Sequence, residues 1–186
     1  MPFNSPSRRT LHLSAIIFVS LLVVANLVMI FCFSAESREE SGSRSRAVAV
    51  LVARVLYADF EDLPAAEQEA VVDSLHGAVR KTAHFLEFAL LGCLTASLIR
   101  LIWLFLARSL PLWLTAGIPS LFCLLTAACD ETLQIFTGRG PAVRDVLIDF
   151  AGALSGVLFL HLAVGLILVV SRARRRKQRQ KEGLSA

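Results

Sequence analysis

The sequence has little that would support a soluble catalytic domain. Only 18% of its 186 residues are charged and 55% are hydrophobic, whereas soluble domains carry about 25% charged residues. It contains no phosphate-binding glycine loop, no serine-centred nucleophile motif, no nucleotide-binding fingerprint and no zinc-ligand spacing. These absences exclude the common motif-defined enzyme classes, although a cluster of carboxylates could still perform chemistry.

Cysteine chemistry is equally poorly supported. Cys32, Cys93, Cys123 and Cys129 all fall in or beside apolar runs, and no two of them form a C-x-x-C pair. Because a thiol in such surroundings behaves as a small hydrophobic group, we interpret all four as buried packing residues. The sequence therefore predicts neither disulfides nor a cysteine metal site.

Long apolar runs dominate what is present, and the mean hydropathy is +0.64. A spanning helix needs about 20 predominantly apolar residues. Four segments meet that length: 11–33, 82–106, 110–129 and 146–170. The first run is too long for the apolar part of a secretory signal and is not followed by a cleavage site, so it is interpreted as a retained anchor.

Residues 34–80 separate the first span from the second. The stretch 36–46 is rich in Ser, Arg and Glu and is interpreted as an exposed linker. Residues 47–57 have apolar side chains at helical spacing but are too short to span, which favours a helix on the membrane surface. Another helix is predicted to start after Pro64. The expected fold is an all-α integral membrane protein with four transmembrane helices and an outward-facing amphipathic helical segment between the first and second.

Basic residues predict the orientation of these spans. Positive charge near span ends marks the cytoplasm, and Arg100, Arg108 and both basic termini fall on one side of a four-span chain. The expected organisation is a cytoplasmic N-terminus, an anchor, an extracytoplasmic segment, a three-helix membrane core and a basic cytoplasmic tail: 1–10, 11–33, 34–80, 81–170 and 171–186. The tail directly follows an apolar span, so topology explains it better than nucleic-acid binding does.

Polar residues from three spans are expected to meet at the outward-facing boundary of the cell membrane. A charged group in hydrocarbon costs about 2.5 kcal/mol or more, so a membrane chain keeps it where it pairs, meets water or binds something. Residues three or four apart share a helix face. The candidate polar site takes its members from the start of the second span, the end of the third, the following turn and the start of the fourth: Lys81, His84, Glu87, Asp130, Gln134, Arg139, Asp145 and Asp149.

The sequence predicts where the helices on either side of the turn between the third and fourth spans end and begin. The third helix is expected to end near Thr137, and the fourth to begin near Val143, with a carboxylate in its first turn. Arg139 in this turn is expected to neutralise the carboxylates of the fourth span or to bind a phosphate or carboxylate group. Further along, Gly152-x-x-x-Gly156 permits close helix packing.

Together these blocks resemble the VanZ-like family of bacterial membrane proteins. The motifs are Lys81-x-x-His84-Phe85-x-Glu87, Asp130-Glu131-x-x-Gln134 and Arg144-Asp145-Val146-x-Ile148-Asp149. The resemblance covers roughly residues 75–170 and implies a multi-pass protein of the bacterial cell membrane. The namesake of the family is linked to low-level resistance to the glycopeptide teicoplanin. Many members have His where Leu133 stands, so a role for an imidazole there is not expected in this chain.

Two classes of function remain open. The first is a non-enzymatic membrane protein whose outward polar cluster binds or shields an anionic envelope lipid or a peptidoglycan precursor. The second is an enzyme acting on a lipid-linked phosphate, with His84 as general base, Arg139 as phosphate clamp, and carboxylates that act in acid–base chemistry or hold a divalent cation. A transporter is disfavoured because the chain shows no internal repeat. Binding is the preferred hypothesis, and enzymatic activity is left open.

Overall fold

The chain is helical throughout the part that the computed structural model describes, residues 6–106, 111–137 and 142–183, and this part contains no β-strand. The helices are α1 (Pro6–Ser34), α2 (Arg38–Leu56), α3 (Ala65–Phe105), α4 (Leu112–Phe136) and α5 (Val143–Gly183), with a short 3₁₀ turn at Phe60–Asp62. By length and composition, α1, α3, α4 and α5 could each cross a membrane. The predicted fold class is confirmed.

Helix α3 is much longer than the span predicted within it. It has 41 residues, which is about 60 Å at 1.5 Å per residue, whereas the hydrocarbon core of a bilayer is about 30 Å thick. The sequence interpretation divided this stretch into a helix starting after Pro64 and a span beginning at residue 82. No proline or glycine lies between residues 78 and 91 to end the first helix, so the two are continuous. The N-terminal half of α3 can therefore project beyond the bilayer.

The stretch interpreted as a linker forms the start of α2. Ser37 caps this helix, because its hydroxyl accepts the backbone N–H of Glu40 at 3.2 Å and the Glu40 carboxylate accepts the Ser37 N–H at 2.9 Å. The backbone hydrogen bond from Ser37 also holds the pKa of Glu40 below its usual value. The S-x-x-E pattern at 37–40 was the available sequence signal for this helix start.

Helix α2 packs against the projecting half of α3. Ala49 and Ala53 are fully buried and form a small core with Phe60 and Val72. Leu51, one of the apolar residues behind the predicted surface helix, lies on the opposite side of α2 and is exposed. Surface ion pairs contribute only about 0–1 kcal/mol each, so apolar packing is the main stabilisation of this hairpin.

Helices α3 and α5 approach each other backbone to backbone. A Cβ atom added at Gly152 would lie within 3.0 Å of the carbonyl oxygen of Phe85, and one at Gly156 would meet that of Ala89 in the same way. Gly92 on α3 faces α5 with equally little space. The predicted close packing through Gly152 and Gly156 is confirmed, and it brings the polar turn of α3 beside the start of α5.

Helix α1 belongs to the common core. Val23 and Ile30 of α1 are buried with Phe88 of α3, Cys123 of α4 and Ala153 of α5. The segment interpreted as an anchor therefore packs against the helices of the predicted three-helix core. This packing places the end of α1, at Ser34, beside the polar residues of α4.

The cysteines only partly match their predicted environment. All four are free, and Cys123 is buried, but Cys32 and Cys129 are exposed on the helix surfaces. The prediction that every cysteine is buried was wrong for these two. In a membrane protein the lipid-facing surface is as apolar as the interior, so apolar neighbours in the sequence do not distinguish burial from contact with lipid.

Candidate functional site

Asp130 lies fully buried near the C-terminal end of α4. One oxygen of its carboxylate, Oδ1, accepts a hydrogen bond from the hydroxyl of Ser34 at the end of α1. The other, Oδ2, accepts the side-chain amide of Gln134 at 2.9 Å, one turn further along α4. Both carboxylate oxygens are thus held in place, and Asp130 connects the first span to the third.

His84 and Asp149 meet Asp130 from two other helices. The Nδ1 atom of His84 on α3 lies 3.8 Å from Oδ1 of Asp149 on α5. One donor atom from each of His84, Asp130 and Asp149 lies within 4.8 Å of the other two. Asp149 is only 2% exposed, and its Oδ1 has no hydrogen-bond partner among the described residues. We refer to these three residues as the His–Asp–Asp cluster.

A polar cavity of about 400 Å³ adjoins this cluster. Its walls come from α2, from the projecting half of α3 and from the facing ends of α4 and α5. The lining residues are Arg38, Gly42, His76, Arg80, Lys81, His84, Gln134, Asp145, Ile148 and Asp149. Three cationic side chains belong to α2 and α3, whereas both carboxylates belong to α5, so the positive and negative charges of the cavity come from different helices.

His76 on α3 connects this helix to α2, and both helices contribute to the wall of the polar cavity. Its Nε2 atom lies 2.7 Å from the hydroxyl of Ser45 and 3.2 Å from the carbonyl oxygen of Gly42, both on α2. These contacts fix α2 over the cavity. The position of Arg38, one turn before Gly42, follows from that docking.

A second, largely apolar cavity of about 530 Å³ lies next to the first. The two share Arg80 and His84 among their lining residues. The apolar wall is contributed by α1, α2 and α3: Phe33, Val48, Val52, Leu75, Ala78, Val79, Ala83 and Leu86. Val48 is 42% exposed and Leu86 is 59% exposed, so this cavity reaches the outer surface of the helix bundle.

The structure brings most of the predicted site residues together. Lys81, His84, Gln134, Asp145 and Asp149 line the polar cavity. Asp130 lies beside it and is held by Gln134, whereas Glu87 lines the apolar cavity together with Arg44. Arg139 lies outside the described residues.

Sequence reasoning missed several residues of the polar cavity and its surroundings. Ser34, Arg38 and His76 all belong to the segment 34–80, which was interpreted as a linker with amphipathic helices. Arg38 and His76 line the polar cavity, whereas Ser34 contacts Asp130 across 96 positions of sequence. No local pattern predicts a contact of that range. The only available signal was the presence of polar residues directly after an apolar run.

Glu131 connects α4 to the start of α5, which its position in the sequence did not indicate. It is 5% exposed, and its Oε1 atom accepts the backbone N–H of Ala142 at 2.6 Å. Ala142 immediately precedes α5, so this bond ties the start of α5 to the end of α4. Glu131 thereby helps to position Asp145 and Asp149 at the polar cavity.

Fold and site together define a multi-pass integral membrane protein with a polar cavity at one end of a bundle of candidate spans. Residues 16–167 match the family model described as VanZ/LLP1, and the chain belongs to that family. Comparison with curated proteins and with solved structures gave no match. The match begins inside α1, whereas the sequence motifs covered only residues 75–170. The wider range agrees with the packing of α1 and α2 around the site.

Proposed function

We propose that the protein binds an anionic envelope lipid, or a lipid-linked peptidoglycan precursor, at the outer face of the bacterial cell membrane and changes its accessibility. An effect on teicoplanin tolerance would follow, because a glycopeptide must reach its envelope target. The contact between a charged cavity and an apolar cavity carries this proposal. A lipid likewise has a charged head group joined to an apolar chain.

The polar cavity has the chemistry to hold a phosphate-containing head group. Arg38, Arg80 and Lys81 line it, and arginine binds phosphate oxygens through a planar pair of donors. The volume of about 400 Å³ falls within the range of about 300–1,000 Å³ that is usual for ligand pockets. The arginines come from two helices, so the fold gathers cations that the sequence separates.

The apolar cavity has the chemistry to hold the hydrocarbon chain of the same molecule. Val52, Leu75 and Val79 line it, and it adjoins the polar cavity at Arg80 and His84. Each buried methylene contributes about 0.8 kcal/mol. A lipid phosphate is therefore favoured over a free phosphate ion, which would leave the second cavity unused.

Topology provides the first test of this proposal. In a variant without native cysteines, Ser43→Cys on α2 should react with a membrane-impermeant maleimide in intact cells, because the proposed orientation places α2 outside. Gln178→Cys in the basic tail should react only after permeabilisation. Both positions are exposed, so access to reagent depends on the membrane. The reverse pattern would place the cavities on the cytoplasmic side and contradict an action at the outer face.

Lipid retention provides the second test. The double variant Arg38→Gln/Arg80→Gln should retain at least about tenfold less anionic lipid after purification in mild detergent, measured by mass spectrometry of extracted lipids. The reason is that a hydrogen bond to a charged group contributes about 1.5–3 kcal/mol and about 1.4 kcal/mol is tenfold in affinity. Val52→Trp, which fills the apolar cavity without changing charge, should lower retention as well.

The matched control for lipid retention is Arg46→Gln/Arg54→Gln. These arginines are on the same helix as Arg38 and form surface ion pairs, with Arg46 near Glu69 and Arg54 near Glu61. The control removes the same charge but leaves both cavities intact, so it should retain lipid as the wild type does. Equal retention by all variants would show that the cavities do not hold lipid. Teicoplanin tolerance at matched protein levels provides the cellular readout.

The His–Asp–Asp cluster supports an alternative, an enzyme acting on a lipid-linked phosphate. Three groups able to exchange protons or bind a cation lie within 4.8 Å of one another, beside the cavity proposed to hold the phosphate. In this alternative the cluster would carry out acid–base chemistry on the bound head group. Incubation of the purified protein with added lipid phosphate distinguishes the two functions, because a binding protein releases the lipid unchanged and an enzyme converts it into product.

A further inference from the structure

We infer that His84, Asp130 and Asp149 form a binding site for a divalent transition-metal ion. One nitrogen and two carboxylate oxygens from three different helices lie within 4.8 Å of one another. Donors about 2.0–2.3 Å from a shared ion lie at most about 4.6 Å apart, so small movements of the side chains would complete the geometry. Two of the three residues, His84 and Asp149, also line the polar cavity.

Asp149 provides an independent indication of a ligand. Its side chain is 2% exposed, and its Oδ1 atom has no hydrogen-bond partner among the described residues. That same atom lies 3.8 Å from Nδ1 of His84. A buried carboxylate oxygen without a hydrogen bond is costly, and a cation bound by this oxygen and the imidazole would satisfy it.

The surroundings of Asp130 are those of a metal ligand with a fixed orientation. Ser34 donates to one oxygen of its carboxylate and Gln134 donates to the other. Outer hydrogen bonds of this kind orient metal ligands and influence affinity. Ser34 and Gln134 are therefore positioning residues for the proposed site.

The donor set determines the class of metal. Imidazole suits zinc, copper, iron and nickel, whereas carboxylates also suit manganese, magnesium and calcium. A site with one imidazole and two carboxylates should prefer a transition-metal dication to magnesium or calcium. Two carboxylates with a neutral imidazole carry two negative charges, which a dication neutralises.

The test is a titration of the full-length, tag-free and chelator-treated protein in detergent with Mn²⁺ alone, with free Mn²⁺ followed by electron paramagnetic resonance. The wild type should bind a single ion per chain, and Zn²⁺ should displace it more effectively than Mg²⁺. Ser34→Ala, which retains all three ligands, should weaken binding by about 10- to 100-fold. Asp149→Asn should weaken it further.

Asp73→Asn is the control, because Asp73 is exposed on α3, pairs with Arg46 and lines neither cavity. It removes one carboxylate charge away from the cluster, so it should bind Mn²⁺ within about threefold of the wild type, since exposed charges at a distance are largely screened. Asp149→Asn removes a buried charge and keeps the side-chain shape, so thermal unfolding in the absence of metal should show an intact fold.

Three results would overturn the inference: no Mn²⁺ binding by the wild type, unchanged binding by Asp149→Asn, or displacement by Mg²⁺ as effective as by Zn²⁺. The first is the outcome expected from the sequence-based alternative in which Arg139 neutralises the carboxylates. The titration uses no lipid, and the lipid experiment uses no added metal. Failure of the metal site and failure of the proposed function are therefore distinguishable.

Discussion

Replacing Gly156 by leucine is expected to abolish the folded protein. A Cβ atom at this position would lie within 3.0 Å of the backbone of Ala89 on α3, and a backbone cannot move aside as a flexible side chain can. Overpacking a core usually costs about 1–3 kcal/mol, and forcing two helix backbones apart should exceed that range. Total stability is about 5–15 kcal/mol, so the variant should be lost from the monodisperse peak in size-exclusion chromatography.

Gly165→Leu is the control for this result. Gly165 lies on the same helix, and a Cβ atom there would meet nothing within 4 Å. The gain in helix propensity is the same at both positions, so only the contact with α3 differs. A Gly156→Leu protein with the yield and thermal unfolding of the Gly165→Leu protein would show that α3 and α5 are not in backbone contact.

Asp130→Ala is expected to be less stable than Asp130→Asn by about 2–4 kcal/mol. Both changes remove the same charge and relieve the same repulsion from Asp149, which lies within 4.8 Å. The asparagine retains a carbonyl oxygen that can accept the hydroxyl of Ser34, whereas alanine leaves that buried hydroxyl unpaired, at a cost of about 1–3 kcal/mol. The cavity left by alanine adds to the difference.

Thermal unfolding in detergent measures this difference, and a cycle with Ser34→Ala assigns it. If Ser34 and Asp130 interact, the two changes should be non-additive by about 0.5–3 kcal/mol. Ser120→Ala is the control, because Ser120 is on α4 like Asp130 but its hydroxyl donates to the carbonyl oxygen of Ala116 one turn earlier. Its effect should be additive with that of Asp130→Ala. Additive effects of Ser34→Ala and Asp130→Ala would mean that α1 is not held to α4 at this point.

The lipid and metal proposals concern neighbouring parts of one site. His84 lines both cavities and also belongs to the His–Asp–Asp cluster. A metal ion there would lie beside the proposed position of an anionic head group, and a phosphate oxygen could join its ligands. Adding lipid phosphate should therefore tighten Mn²⁺ binding if both proposals are correct.

Local physical chemistry made much of the membrane architecture predictable from the sequence. Apolar runs of sufficient length predicted four spans because hydrocarbon tolerates few other backbone structures. The end of α4 at Phe136 and the start of α5 at Val143 followed from residues in the turn itself. The close approach of α3 and α5 followed from the spacing of Gly152 and Gly156.

The candidate site was predictable to the extent that its members are polar residues in apolar surroundings. His84, Asp130 and Asp149 were identified for this reason, because charge within a span is retained only where something compensates it. Residues outside the spans have no such constraint, so Arg38 and His76 could not be distinguished from other polar surface residues.

Tertiary structure alone decided which of these groups meet and which surfaces are buried. Ser34 reaches Asp130 because α1 packs on α4, and Arg38 reaches the polar cavity because α2 docks on an unbroken α3. Neither packing arrangement can be predicted from the hydrophobic periodicity of a single helix. Nor does hydrophobicity distinguish the buried Cys123 from the exposed Cys129, because lipid and protein interior are equally apolar. The sequence by itself therefore determined the spans and their polar residues, and the packing of the helices decided how they form a site.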